Sequence, residues 1–273
     1  MTVGSKVKIR SFEVPAYIGQ IGVIESLAPD TGGTTVYKVR IGDMIVPGWF
    51  HDEDLEALRR PYTTLIFDLD GTLTDPAEGI MRSVEHALHR QGIEAEWQTL
   101  TAFCNADTEQ AFRDIYGLEG ERLSRAMEDF RERYTRRGIY ERCLKPGIYG
   151  LLERLKRDGF RLAIATTGMR DTTEIVLRML SIGKFFDLVT GREENGMLRT
   201  KADMINAVVS RLGMGTTRSS CLMIGDSRPD MEGAAQAGID AAGVLWGYGS
   251  FEELALNGAR YIVSTSDNLY ALL

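Results

Sequence analysis

From Tyr62 onward, short apolar runs alternate with longer stretches of helical periodicity. The runs are "TTLIFDLD", "RLAIATT", "FDLVTG", "CLMIGDS", "AAGVLW" and "RYIVS". Alternation of this kind implies helical crossovers and a mostly parallel sheet covered on both faces, a doubly wound α/β fold. Between the first two runs the helical pattern continues from "AEGIMRSVEHALHRQG" through "RLSRAMEDFRERYTRRG", far longer than one crossover needs. The pattern predicts an inserted α-helical cap over 76–145. The segment "LKPGIYGLLERLKRDGF" then returns the chain to the sheet, with Pro146 and Gly147 opening the crossover helix. The core domain is expected over 61–75 and 146–273.

Residues 1–60 read differently. "SKVKIR", "IGVIES", "TTVYKVRIG" and "MIVPGWF" are short alternating runs separated by Gly, Pro and Asp, the pattern of a small all-β barrel or curled sheet. The segment is expected to close with an acidic turn of helix, "HDEDLEALRRP", stopped by Pro61. Tyr37, Trp49 and Phe50 are open to two readings, a docking patch or the core of the small domain.

Composition narrows the function classes. The chain has 273 residues, 44% apolar and 26% charged, as in ordinary globular proteins. A net charge of −7 argues against a general nucleic-acid binder. The first 60 residues, with seven Lys/Arg against eight Asp/Glu, add no basic face. No apolar run reaches the ~18 residues of a membrane span, and "MTVGSKVKIR" has no signal-peptide core. Cys104, Cys143 and Cys221 are odd in number and not spaced like zinc ligands, which suits reduced thiols in a cytoplasmic protein.

Ligands of open α/β sheets bind beyond the carboxyl ends of the strands. The first strand there ends in Asp68 and Asp70, the second in Thr166 and Thr167, and the fourth in Asp226, while Lys201 opens the helix after the third. Two acids a residue apart repel and raise one another's pKa, so the pair calls for a cation.

In this order, the residues resemble the four motifs of the haloacid dehalogenase superfamily of phosphohydrolases. "DLDGT" is similar to its first motif, "IATT" to the second, "TKADMI" to the lysine motif and "MIGDSRPD" to the acidic fourth. "GTLTDPAEGI", "FRERYTRRGIY", "LKPGIYGLL" and "GVLWGYGSFEEL" further resemble the phosphoglycolate-phosphatase-like branch with a small helical cap, some members of which act on nucleotides. The resemblance covers Tyr62 to Leu273. It implies a Rossmann-like core and a phosphomonoester hydrolase for a small phosphorylated substrate. Asp68 would be the nucleophile that becomes an aspartyl-phosphate, and Asp70 the acid and then the base. Backbone N–H groups around Leu69, Asp70 and Gly71 would face the phosphoryl oxygens, joined by the Thr166 hydroxyl and by Lys201. Mg²⁺ would be held by Asp68, the Asp70 carbonyl and Asp226, with Asp230 in the outer shell.

Several choices stay open at this point. Thr167 neighbours Thr166 and either hydroxyl could serve, the family's position being the first after the apolar run. Thr167 and Gly168 stand where the family commonly has Ser or Asn and then Lys. Lys184 and Arg199 compete with Lys201 less well by position. His51, His86 and His89 form no catalytic pattern. Asn105, Ala106 and Asp107 stand where the branch carries Gly-Pro-Pro, which weakens a phosphoglycolate assignment. Arg113, Arg136 and Arg137 are readable as substrate contacts or as solvated helix faces.

The rival readings are a phosphomutase, which shares both acids, and a catalytically idle scaffold. A true dehalogenase or a phosphonate hydrolase lacks an acid at the position of Asp70. The N-terminal segment resembles small SH3-like barrels, which implies a role in oligomerisation or in binding a protein partner.

Overall fold

The computed structural model describes all residues except 2, 4, 42, 43, 58–61, 105, 194, 195, 214 and 215. The chain divides into two compact units, Met1–Pro61 and Tyr62–Leu273.

The first unit is an antiparallel sheet of β1 (Lys6–Ile9), β2 (Ile21–Pro29), β3 (Thr35–Ile41), β4 (Met44–Ile45) and β5 (Leu55–Ala57), ordered β4-β3-β2-β1-β5. Val7, Ile9, Ile24, Val39 and Val46 form its core with Tyr37 and Phe50. Those two aromatics are thus interior. Trp49 alone of the three is open, 43% exposed, with the Lys38 ammonium 4.9 Å over its ring. The expected acidic turn of helix is a single 3-10 turn, Asp52–Asp54, and it does not continue, because Leu55–Ala57 pair with β1. Burial of Leu55 and ladder bonds to β1 override helix propensity in so short a segment. The proposed stop at Pro61 lies outside the described residues.

In the second unit, six parallel strands form the sheet: β6 (Thr64–Phe67), β9 (Arg161–Met169), β10 (Leu188–Arg192), β11 (Cys221–Gly225), β12 (Asp240–Val244) and β13 (Tyr261–Val263), in the order β10-β9-β6-β11-β12-β13. Alternate residues serve opposite faces, as a two-residue period requires. Leu65, Phe67, Leu162, Ile164, Leu222 and Ile224 join one core, with Leu151, Leu152 and Leu155 of α5 (Ile148–Arg157) and Val176 of α6 (Arg170–Met179). Ile66, Ala163, Ala165 and Met223 join the other, with Met204, Ile205 and Val208 of α7 (Lys201–Arg211) and Met231 and Ala234 of α8 (Arg228–Ala237). Helix α9 (Phe251–Leu256) adds Leu254 to this second layer, and α10 (Ser266–Leu272) adds Leu269 to the first.

Strand β9 continues to Met169, past the end expected at Thr167, and its register with β10 shifts between Thr190 and Arg192. Strand order reverses at β6, which puts the switch point of the fold directly at Asp68.

The cap contains α1 (Ala77–Arg90), α2 (Trp97–Leu100), α3 (Thr108–Tyr116) and α4 (Gly120–Arg136). Its own core holds Met81, Val84, Ala87 and Leu88 from α1, spaced along one helical face, with Phe103, Phe112, Leu123 and Ala126. The cap leaves and rejoins the core through a two-stranded ribbon, β7 (Thr74–Asp75) against β8 (Cys143–Leu144), in which Thr74 faces Leu144 and Asp75 faces Cys143.

Candidate active site

The site starts at the end of β6. Asp68 N–H donates to Ile224 O of β11 at 2.9 Å, so the first strand's ending is tied to the fourth motif. Lys201 is the first residue of α7, whose N-cap Thr200 forms a reciprocal capping box with Asp203. The Lys201 ammonium lies 2.7 Å from Asp68 Oδ1 and 2.7 Å from Asp230 Oδ1, and donates to Ala165 O at 2.9 Å. Thr166 follows that carbonyl. It is buried, and its hydroxyl oxygen accepts from Gly168 N–H at 3.1 Å. Thr167 is half-buried.

Asp230 is oriented by its place in α8. Its Oδ2 accepts from Ser227 N–H and Ser227 Oγ at 3.1 and 2.7 Å, as the third residue of a capping box. Its Oδ1 is buried against the Lys201 ammonium, 2.7 Å away. Asp226 accepts from Thr72 Oγ1 at 2.7 Å and from Tyr248 N–H at 2.9 Å. One carboxylate oxygen from each of Asp68, Asp226 and Asp230 lies within 4.8 Å of the others.

Close backbone approach shapes this pocket. Gly71 sits at φ +90°, and a Cβ there would strike the Asp226 carboxylate. A Cβ on Gly247 would do the same, one on Gly225 would meet Asp230, and one on Gly233 would lie 2.7 Å from Lys201 Cβ.

Three buried acids share one buried lysine. Burial, followed by the opposing pull of Lys201 and the push of Asp230 and Asp226, leaves Asp68 raised to about 8. Burial and Asp230 raise Asp226 to about 6, against the N–H of Tyr248 and the Thr72 hydroxyl. Burial would lower Lys201, but Asp230 and Asp68 together raise it. The cluster is therefore short of positive charge. Three converging carboxylates and surplus negative charge fit a divalent cation of the Mg²⁺ type, which takes hard oxygen donors.

Asp70 stands apart from this cluster. Its side chain is 41% exposed, and its Oδ1 accepts from Arg142 Nη1 at 2.5 Å and from Thr74 Oγ1 at 2.9 Å.

Other candidates lie elsewhere. Lys184 donates to Tyr149 Oη at 2.8 Å, and Arg199 Nε donates to Gly196 O at 3.0 Å. Arg113 and Arg136 pair with Glu109 and Glu132 one turn away on their own helices, and Arg137 is exposed. Arg113 also lines a groove of about 450 Å³ on the cap with Leu123, Met127 and Arg131, which contains none of the motif residues. Of the cap-loop residues, Asp107 is the N-cap of α3, and Asn105 is outside the described residues. His51 belongs to the 3-10 turn of the first unit, and His86 and His89 to α1.

Several neighbours of the site were left unassigned by the sequence. Thr72 lies inside the first motif, and its bond to Asp226 appears only in the structure. Tyr248 joins two places, its N–H donating to Asp226 and its hydroxyl to Asp75 Oδ1 at 2.8 Å. Asp75 also accepts from Lys145 Nζ at 2.8 Å, and Trp246 Nε1 donates to Thr72 O at 2.8 Å. Arg142 carries no motif signal at all. Only a fold that brings β8 against β7 reveals it.

Residues 65–244 match the family description "haloacid dehalogenase-like hydrolase". A 5'-nucleotidase of Pseudomonas aeruginosa is 37% identical over 194 residues, 71% of this chain and 87% of that protein. The tyrosine-protein kinase PtkA of Mycobacterium tuberculosis is 37% identical over 68% of this chain, which spans only 62% of PtkA. Among solved structures, a haloacid dehalogenase-like family hydrolase of Streptococcus pneumoniae superposes with a TM-score of 0.70 at 30% identity, covering 77% of this chain and 98% of that one. The chain belongs to the haloacid dehalogenase-like hydrolase family, as one of its phosphatases.

Proposed function

We propose that the protein is a Mg²⁺-dependent phosphomonoester hydrolase that works through an aspartyl-phosphate on Asp68. The observation that carries this reading is the Lys201 ammonium shared by Asp68 and Asp230, with Asp226 beside them. In the first step an Asp68 oxygen bonds to phosphorus while the ester oxygen leaves, taking a proton from Asp70. In the second, water attacks phosphorus, Asp70 takes the proton, and the bond to Asp68 breaks. Lys201 holds the Asp68 carboxylate in place and offsets phosphoryl charge. Thr166 and the backbone N–H groups at Leu69 and Asp70 would form the phosphate cradle, with Thr167 as a further contact; the Gly71 N–H, expected there from the sequence, instead donates to Thr74 O at 2.8 Å. Asp68, Asp226 and the Asp70 carbonyl would hold Mg²⁺, with Asp230 behind them, and the ion would supply charge neutralisation at the phosphoryl oxygens.

The substrate class is a small phosphorylated metabolite, of the nucleotide or phosphoglycolate kind. The nucleotidase relative supports the former, and Ala106 and Asp107 at the cap loop weigh against the latter. The phosphomutase reading differs only in shielding the phosphoenzyme from water. No helix of the described residues is long and apolar enough to cross a membrane, and the three cysteines are unpaired thiols, which supports a cytoplasmic site of action. The N-terminal sheet is proposed to serve oligomerisation or a protein partner. A panel of phosphate esters assayed with and without Mg²⁺ tests the whole reading. Metal-dependent phosphate release is expected, and metal-independent or absent release on every ester contradicts it.

A further inference from the structure

Arg142 is a buried cation at the cap hinge. Its side chain is 1% exposed, and its Nε is buried with no hydrogen-bond partner among the described residues. Burying a guanidinium with an idle donor opposes folding, so its retention points to work done elsewhere. Nη1 donates to Asp70 Oδ1 at 2.5 Å, and Nη2 donates to Tyr134 Oη of α4 at 2.6 Å. Thr74, on the facing strand of the ribbon, donates to the same Asp70 Oδ1 at 2.9 Å. Asp70 Oδ2 accepts nothing from the described residues. One oxygen of this carboxylate is therefore pinned from both sides of the hinge ribbon, and the other is left to the open side.

We propose that Arg142 is a positioning residue for the acid/base step: with Thr74 it fixes Oδ1 of Asp70, so that Oδ2 is the oxygen that exchanges protons with substrate and water. This rests on the reading of Asp70 as acid and base. The proton on Oδ2 passes to the leaving ester oxygen as the Asp68–phosphorus bond forms, and Oδ2 regains a proton from water as that bond breaks. Because Arg142 hangs from Tyr134, the grip on Asp70 is also the link between helix α4 of the cap and the acid/base group.

The test compares four full-length proteins: parent, Arg142→Met, Asp70→Asn and the double variant, each with Mg²⁺. Two esters are used, p-nitrophenyl phosphate, whose leaving group needs no proton, and glycerol phosphate, whose alkoxide does. The readout is kcat/KM, which reports phosphoenzyme formation alone. Arg142→Met is expected to lower it about 10- to 100-fold on glycerol phosphate and less than about threefold on the aryl ester. Placed in the Asp70→Asn background, the same substitution should add nothing beyond about threefold, since coupled residues are not additive.

Equal losses on both esters, or an undiminished loss in the Asp70→Asn background, would overturn the proposal. Should Arg142→Met fail to fold, Tyr134→Phe frees Nη2 while keeping the charge, and the same contrast between esters is expected at smaller size. An equal loss there overturns it too. If Asp70→Asn itself shows no contrast between esters, the acid/base reading falls and this inference with it. A contrast in Asp70→Asn that is missing in Arg142→Met defeats this inference alone.

Discussion

Lys201 Nζ lies 2.7 Å from Asp68 Oδ1, joining the first residue of α7 to the end of β6 across the sheet. The same ammonium reaches Asp230 at 2.7 Å, so one cation restrains two buried acids while Asp226 stays without one of its own. Lys201→Met should lower kcat/KM on small esters by about 10²–10³, the usual effect of losing a positioned charge. It should also destabilise the metal-free protein by about 3 kcal/mol, because the acids lose the buried counter-charge they share. Adding Mg²⁺ should shrink that deficit. Urea unfolding with and without the ion checks it, and an unchanged deficit would count against a cation site at the three acids.

Asp226 and Asp70 are expected to respond differently to the same change. In the parent, Mg²⁺ at about a hundredfold over its Kd should add about 2.7 kcal/mol of stability. Asp226→Asn should abolish that gain, whereas Asp70→Asn should keep most of it, since only the backbone carbonyl of Asp70 is proposed as a ligand. Thermal melts across a Mg²⁺ titration separate the two. Equal loss in both variants contradicts the assignment.

Gly71 turns the chain at φ +90°, directly against the Asp226 carboxylate. Gly71→Ala forces a side chain into a backbone region that L-residues avoid and into an occupied space. A destabilisation of about 1–3 kcal/mol is expected, together with weakened Mg²⁺ binding. Chemical denaturation and metal titration of the variant measure both. A variant as stable and as metal-responsive as the parent would show that the turn relaxes.

Much of this architecture was legible in the chain, for an identifiable reason. Leu65, Phe67, Leu162, Ile164, Leu222 and Ile224 alternate with Ile66, Ala163 and Met223, and strands buried on both faces read as the continuous apolar runs seen in the sequence. Asp68, Lys201 and Asp226 stand at strand or helix ends, where the topology of an open sheet directs attention. Leu55–Ala57 misled because its acidic neighbours favour a helix start while its partner, β1, lies far back in the chain. Arg142, Tyr134 and Tyr248 were invisible for the same physical cause. Arg142 and Tyr248 find their acids, Asp70, Asp75 and Asp226, far away in sequence, Tyr134 enters only through Arg142, and no local pattern encodes pairings made by the hinge and the loop after β12.

The hinge also carries a pH-dependent tie. Glu141 accepts from Arg133 Nη1 and Nη2 at 2.8 and 3.0 Å, and this pair of hydrogen bonds holds its carboxyl below the usual range. A depressed folded-state pKa contributes stability that is complete above the unfolded value, about 4.3, and is lost as pH falls through the lower folded value. The stability difference between the parent and Glu141→Gln should therefore be constant from about pH 7 to about 5 and shrink as pH falls below the unfolded value, about 4.3. Urea midpoints across that range test it. A difference that persists in acid would assign the effect to packing.

The two compact units divide at Pro61 and Tyr62, and every proposed catalytic residue lies in the second. A chain beginning at Tyr62 should fold and hydrolyse a small ester within about tenfold of the full chain, roughly 1.4 kcal/mol of barrier. Kinetics and light scattering on both proteins check this. A well-folded short chain that is about a thousandfold slower would mean that the N-terminal sheet contributes to the site.

The most direct test of the account is the location of phosphate during turnover. The Mg²⁺-loaded protein is mixed with p-nitrophenyl phosphate, quenched in acid within the first turnovers, digested and analysed by mass spectrometry. Asp70→Asn is run in parallel, because a slowed second step should make the intermediate accumulate. Phosphate on the peptide containing Asp68, absent in Asp68→Asn, is the predicted result. Phosphate release with no label at Asp68 in either protein, or full turnover by Asp68→Asn, would contradict nucleophilic catalysis by this residue.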